Sequence, residues 1–475
     1  MRTQKLPQAL VNEILRRGVS EDAATIAHEL NLRRLEVVAI LSHSKIEAEA
    51  RRRDTDEVEP QRDTDLWEKP PEIVEEPPER SSSQVRPHSQ EGVSKDTTND
   101  GAKGIYLGEE LEYSAPVVWS PADSQAVYNP HLMIMGESGS GKTYAVQCIV
   151  TELAKAGMSS IIFDYGQGFE DEKLDPSFVK FCNPQQYLIG EQGLGLNPFQ
   201  IFPQDARGPS SVATRLADAF DAAFHLGDIQ KRAFIDAVLR AYGKAGITTP
   251  DRQTWTRPLP TLSTLNSSIE ELAADRDYPN YRNAVTLSAR LTTFFMLVSI
   301  HEQQWSWDKL INDSAMRVHV LQFRGLEGKT RRVMVELLLW HMFFYFKSHN
   351  RQGSRVFCIL DEAHHLSFRE GGPIDSLLRE ARKFGLGIVF ASQQPEDFSP
   401  VAYSNTASKL IFQTADPDSK VSKFLASKSQ NYDDPAEIRD IISSLPQGRA
   451  LFITKNRAQT ISVSDFPKRA TQWGS

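Results

Sequence analysis

From about residue 130 onward the chain repeats one pattern: a short run of consecutive apolar residues that stops at a polar or glycine-rich turn. Leu132 to Met135 runs into Gly136, Ser160-Ile161-Ile162-Phe163 into Asp164, and Val356 to Leu360 into Asp361-Glu362. Ile388 to Ala391 stops at Ser392-Gln393-Gln394-Pro395; Val318 to Phe323, Lys409 to Gln413 and Ala450 to Ile453 complete the set. Runs this short, without alternation, predict strands buried on both faces, as in a parallel sheet. Helix-spaced segments lie between them: Thr143 to Ala156, a stretch over about 205–300 with Ala219, Ala223, Ala233, Ala237 and Tyr242 in register, and Arg331 to His349. Strands alternating with helices predict an α/β core with a sheet of about seven strands and a helical insertion. Ile105 to Gly108 and Val117 to Trp119 read as short strands entering that core, and no repeat of 20 to 50 residues is present.

The first hundred residues differ. Residues 1–46 read as three short helices resembling a helix-turn-helix unit, with Ser20 as N-cap and Ala27 small enough for a close crossing. Its third helix, with Arg33 and Arg34 near the start, would enter a major groove, or else the unit docks a protein partner. Residues 47–100 turn to Arg, Asp, Glu, Pro and Ser and lack apolar periodicity, so they read as a disordered tether in which Trp67 stands alone.

The loop after the first core strand carries chemistry. Gly136-Glu137-Ser138-Gly139-Ser140-Gly141-Lys142-Thr143 fits the phosphate-cradling pattern G-x-x-x-x-G-K-[S/T]. Its glycines let backbone N–H groups converge on a β-phosphate, Lys142 reaches the β and γ oxygens, and Thr143 offers a hydroxyl to Mg²⁺. The helix that follows adds its positive end. Hydrolysis needs more: a carboxylate for the hydrated metal and a second one to orient and polarise water, and Asp361 and Glu362 supply them at a strand tip. Gln393, at another strand tip, is placed to sense the γ-phosphate. Arg379 and Arg382 stand i, i+3 on one side of a charged helix, which in a ring could meet a neighbour's nucleotide. The residues alone lead to a Mg²⁺-dependent ATPase with a strand-tip glutamine.

Taken together, the P-loop, Ile359-Leu360-Asp361-Glu362-Ala363-His364-His365-Leu366, the run from Arg379 to Pro395 and Gly193 to Phe199 resemble the HerA/FtsK class of additional-strand P-loop ATPases, the HerA-like branch above all. The resemblance implies a RecA-like ATPase domain over 101–470 that binds ATP and Mg²⁺. It further implies a homo-oligomeric ring, usually a hexamer, that moves double-stranded DNA through its centre. By position Lys142 and Thr143 match the nucleotide lysine and metal hydroxyl, Asp361 the metal carboxylate, Glu362 the catalytic base and Gln393 the sensor. Arg382 matches the arginine offered to the adjacent subunit's γ-phosphate, with Arg379 behind it. HerA-like motors work with a separate nuclease or effector, in DNA processing or in defence against phage and plasmids. They usually carry an N-terminal β-barrel, for which the segment around 104–120 is too short.

Bulk properties adjust this picture. A net charge of −8 argues against a surface that coats nucleic acid, but a channel can concentrate cations while the outside stays acidic. Cys148, Cys182 and Cys358 lack metal spacing, so they read as core residues of a cytoplasmic protein. The longest apolar stretch, Val333 to Phe346, is broken by Glu336 and His341 and is too short to span a bilayer, which disfavours a membrane-associated transfer ATPase. His364-His365 suggest packing or phosphate-side polarity rather than a metal cluster, and Phe343 to Phe346 suggest core rather than a base-stacking platform. Asp164 reads as a support for the metal or as a loop cap. The competing function is an ATP-gated scaffold that organises an effector without translocation.

Overall fold

A computed structural model describes residues 104–123, 125–298, 305–312, 317–326, 328–349, 356–394, 397–414, 423, 425, 434–454, 457–463 and 465–473. All belong to the second of two units, Thr97–Ser475. The helical unit and tether expected over 1–46 and 47–100, Trp67 included, lie outside the described residues, as does Pro395.

Among the described residues, eleven strands form one sheet. They are β1 (Ile105–Glu110), β2 (Pro116–Trp119), β3 (Leu132–Met135), β4 (Ser159–Asp164), β5 (Gln185–Leu188), β6 (Val318–Gln322), β7 (Val356–Leu360), β8 (Leu386–Ser392), β9 (Ser408–Ile411), β10 (Arg449–Ile453) and β11 (Ala458–Val463). Their spatial order is β2-β1-β11-β10-β9-β3-β8-β7-β4-β6-β5. From β9 to β5 every pairing is parallel, and from β9 back to β2 every pairing is antiparallel. The expected count of about seven strands is therefore too low. β5 and β11 escape a search for apolar runs because their sequences, Gln185-Gln186-Tyr187-Leu188 and Ala458 to Val463, are half polar and mostly only partly buried.

Successive residues on the central strands point to opposite faces, and the side chains sort accordingly. Leu132, Ile134, Ile162, Phe357, Ile359 and Val389 join one core beneath helix α1 (Lys142–Lys155), with Ala145, Ile149 and Leu153 of that helix. Met133, Met135, Ile161, Phe163, Cys358 and Phe390 join the other. That second core is covered by α2 (Pro209–Phe224), α3 (Gly227–Lys244), α4 (Leu262–Ala274), α5 (Tyr281–Leu297), α6 (Gly328–His349) and α7 (Pro373–Glu380). Two further helices, α8 (Pro435–Ser444) and α9 (Phe466–Trp473), follow near the end of the chain. Burial on both faces is why these strands read as unbroken apolar runs.

The helical insertion is therefore α2 to α5, knit by Phe220 against Phe234 and Phe294 at ring separations of 4.6 and 4.9 Å. Gly193 to Phe199 joins it to the sheet. The Asn197 side chain accepts from Phe199 N at 2.9 Å and donates to the Pro260 carbonyl at 3.0 Å, and the Phe199 carbonyl accepts from the Tyr242 hydroxyl. Gly195 has φ +65, and a Cβ there would lie 2.1 Å from Trp305 Nε1, so only glycine fits. All three cysteines are buried, and Phe343, Tyr345 and Phe346 are core residues, as their surroundings in the sequence suggest.

Candidate functional site

The loop after β3 begins with a residue that has no room for a side chain. At Gly136 a Cβ would sit 2.5 Å from Phe412 Cβ, and φ is +153. Gly139 and Gly141 take left-handed φ values of +81 and +109, which curl the loop into the start of α1. Two long-range backbone bonds clamp it: Glu137 N donates to the Gln413 carbonyl at 2.8 Å, and Gly448 N to the Ser140 carbonyl at 3.1 Å. The first turn of α1 carries no acidic residue, so its free N–H groups present undiluted positive charge. Lys142 Nζ donates to the Glu137 carbonyl at 2.8 Å. Burial lowers its pKa, against the pull of the Glu362, Asp361 and Glu137 charges. Ser140 Oγ is buried with no hydrogen-bond partner in the protein, an orphaned polar atom inside an anion cradle.

Asp361 and Glu362 leave β7 at the same edge of the sheet. Glu362 is one of five non-glycine residues with positive φ among the described residues, at φ 52 and ψ 55. Backbone of that kind costs roughly 1–2 kcal/mol in an L-residue, so the surrounding structure must impose it. The constraint is visible at Gly166, just past β4, where a Cβ would come within 2.8 Å of Glu362 Cγ. The turn aims the Glu362 carboxylate at Gln393 on the tip of β8, whose Nε2 donates to both carboxylate oxygens at 3.4 and 3.3 Å. His364 Nδ1 lies 3.1 Å from Glu362 Oε2. Asp397 pins the chain beyond β8, accepting from Ser392 Oγ at 2.5 Å and from Gln394 N at 3.0 Å.

Asp361 is 4% exposed, and its pKa is pushed up to about 7, first by burial and then by the charges of Glu362 and Asp164. A carboxylate held in this way gains from a nearby cation. Across Gly168 it faces Thr143: a Cβ on that glycine would lie 3.3 Å from both Asp361 Oδ2 and Thr143 Cγ2. Among the described residues no three or more His, Cys, Asp or Glu side chains close on a point as a metal cage. One hydroxyl and one carboxylate suit Mg²⁺, which keeps most of its shell as water and phosphate oxygen. Asp164 is a loop cap, accepting from Gly168 N and Phe169 N at 3.0 and 2.9 Å.

Lys142, Thr143, Asp361, Glu362 and Gln393 are thus gathered at one edge, where open α/β sheets bind ligands. Arg379 and Arg382 are not among them. The expected continuous helix ends at Glu380, and Ala381–Phe384 forms a 3₁₀ turn closed by Gly385 at φ 75. The arginines therefore do not share one helical side. Arg379 Nε pairs with Asp375 at 2.7 Å, while the exposed Arg382 guanidinium donates to the Tyr128 carbonyl just before β3. Both precede β8, so seven strand residues, roughly 20 Å, separate Arg382 from the tip of that strand. Sequence reasoning did not single out His364 as a Glu362 partner, Asp397, or the clamp from Gln413 and Gly448. Only the acidic character of Asp397 beside Gln394 gave any signal.

The P-loop, an acidic strand tip and a polar residue on β8 between those two strands define a RecA-like P-loop ATPase fold of the additional-strand kind. Residues 121–342 match the family model described as Helicase HerA, central domain. The DNA double-strand break repair helicase HerA of Saccharolobus solfataricus is 24% identical over 341 residues, 68% of this chain and 62% of that protein. Its counterpart from Sulfurisphaera tokodaii is 20% identical over 336 residues, with the same shares. The match thus spans 62% of these relatives' length. Among solved structures, VirB4 of Thermoanaerobacter pseudethanolicus superposes with TM-score 0.62 at 18% identity, covering 80% of this chain and all of that one. The bacterial conjugative coupling protein TrwB superposes with TM-score 0.51 at 14% identity, covering 76% and 89%. Over the matched stretch the chain is similar to the HerA-like branch of the HerA/FtsK P-loop ATPases.

Proposed function

We propose that the chain is an ATP-hydrolysing motor that moves along double-stranded DNA as a homo-oligomeric ring. The observation that carries the reading is the Glu362 carboxylate, held in a strained turn between Gln393 and the P-loop lysine. Lys142 and the loop N–H groups over 136–143 other than those of Glu137 and Ser140, which bond to carbonyls, hold the triphosphate of ATP. Thr143 and Asp361 would hold Mg²⁺, which would supply Lewis-acid screening of the phosphate charge. Glu362 orients the attacking water and accepts its proton, and Gln393 fixes the carboxylate while contacting the γ-phosphate. Arg382, too distant from its own P-loop, completes the site of a neighbouring subunit.

Support for DNA as the track comes from the relatives, which are named DNA double-strand break repair helicases. Six subunits, a separate nuclease or effector, a role in DNA processing or defence and a cytoplasmic setting extend the same reading. Among the described residues no helix is long and apolar enough to cross a membrane. The test is ATP turnover by purified protein, with and without long linear double-stranded DNA, beside Glu362→Gln. Stimulation by DNA that disappears in the variant supports the motor; a DNA-blind rate across salt concentrations favours a nucleotide-gated scaffold instead.

A further inference from the structure

A second cavity opens at the same edge of the sheet but on the face opposite α1. It holds about 380 Å³ and lies over the ends of β4, β6 and β7, lined by Tyr165, His225, Lys329, Arg331, Arg332 and His365 together with two small residues. No carboxylate is among its lining residues. In a chain of net charge −8 this is a marked local excess of cations. Nor do the contacts of two of them neutralise that charge. Arg331 donates to the neutral carbonyls of Leu326 and Tyr165, at 2.7 and 3.3 Å, and Lys329 Nζ lies 5.5 Å from the Phe224 ring centre. Such cations, spread round an open hollow, suit a ligand with several separated negative charges.

The cavity is wired to the hydrolytic turn. The His365 ring lies 6.0 Å from Tyr165 and 4.0 Å from the His364 ring, and His364 Nδ1 is 3.1 Å from Glu362 Oε2. Three successive side-chain contacts therefore run from the basic hollow to the carboxylate proposed to orient water. We propose that this cavity binds backbone phosphates of double-stranded DNA, and that His365 and His364 transmit its occupancy to Glu362 as positioning residues. The inference rests on the DNA-motor reading and adds to it the place where DNA acts on the ATPase.

The experiment uses the full chain and a labelled linear duplex of arbitrary sequence, with affinity read by fluorescence anisotropy over a range of salt concentrations. Lys329→Ala/Arg332→Ala removes two exposed cations; each released phosphate contact accounts for a slope of about 0.9 in log affinity against log salt. The expected result is a slope shallower by up to about 2 with the DNA-independent ATPase rate and the affinity for a fluorescent ATP analogue unchanged. His364→Ala should keep duplex affinity and salt slope while losing most of the DNA stimulation. Equal duplex affinity and slope in the double variant, with wild-type protein binding normally, overturns the cavity. Weakened ATP binding with DNA binding intact also overturns it, assigning the cations to nucleotide. Full stimulation in His364→Ala overturns the relay. If wild-type protein neither binds nor responds to duplex, the motor reading itself fails, and this inference with it.

Discussion

Gln393 Nε2 reaches both oxygens of the Glu362 carboxylate, at 3.4 and 3.3 Å, from the tip of a strand that lies between the P-loop strand and the acidic strand. Both contacts are long, so the amide steadies the carboxylate without tying it down. Glu362→Gln is expected to lower ATP turnover by roughly 10²- to 10⁴-fold, the usual span for a lost general base, while nucleotide affinity stays within a few-fold. Steady-state turnover set beside equilibrium nucleotide binding checks both halves of the statement.

Gly166 tests whether the strained turn matters. A methyl group there would meet Glu362 Cγ at 2.8 Å and push the carboxylate out of line. Gly166→Ala should lower turnover at least tenfold with ATP affinity kept, since misplacement of about 1 Å can cost 10²-fold. A wild-type rate in this variant would show that the turn relaxes without consequence.

Lys142→Ala removes the cation facing Asp361 and Glu362. Nucleotide binding should fall below detection in equilibrium dialysis with radiolabelled ATP, and turnover with it. The fold should persist, because Lys142 contributes one hydrogen bond to a loop that is clamped independently by Gln413 and Gly448.

Arg382→Ala should spare ATP binding and abolish hydrolysis if, as proposed, the guanidinium acts on a neighbour's nucleotide. Mixing it with Lys142→Ala subunits should recover part of the rate, since some interfaces then combine an intact P-loop with an intact arginine. A wild-type rate for Arg382→Ala alone moves the assignment to Arg379.

Glu336, on α6, is 3% exposed, and burial raises its pKa from 4.5 to about 7 despite Arg369 Nη2 at 3.4 Å. The folded protein thus holds a proton that the unfolded chain has released, and stability from this group, full below pH 4.5, declines as pH rises to about 7. Glu336→Gln should remove that slope and raise the melting temperature at pH 8, by up to roughly 3 kcal/mol in stability. Melting curves for both proteins between pH 5 and 8 read it directly.

That Lys142, Thr143, Asp361, Glu362 and Gln393 would meet at one edge was legible because each proposed role restricts residue type. A tight phosphate loop demands glycine, the metal and water demand adjacent carboxylates, and buried strands demand apolar runs. What stayed hidden depends on contacts distant in sequence. No local pattern foretells that Glu362 turns left-handed, since the space it fills is set by Gly166. β5 and β11 are polar enough to pass for loops, and the antiparallel flank that carries Gly448 is visible only once β10 and β11 are paired. The break between Arg379 and Arg382 was masked by an unbroken charged pattern. Gly385 gave the one local hint that a left-handed stop was near.

The pairing of β3 also sets a timetable for the chain's birth. Its two neighbours, β8 and β9, are made more than 250 residues after it, and the clamp on the phosphate loop comes later still, from Gly448. A ribosome that has delivered the P-loop has therefore delivered a strand with bare edges on both sides, which must wait for most of the remaining sequence. Contacts so remote slow folding and expose apolar strands meanwhile. Nucleotide-binding ability should accordingly emerge late and abruptly in nascent chains of increasing length, at the point where the last clamp leaves the exit tunnel.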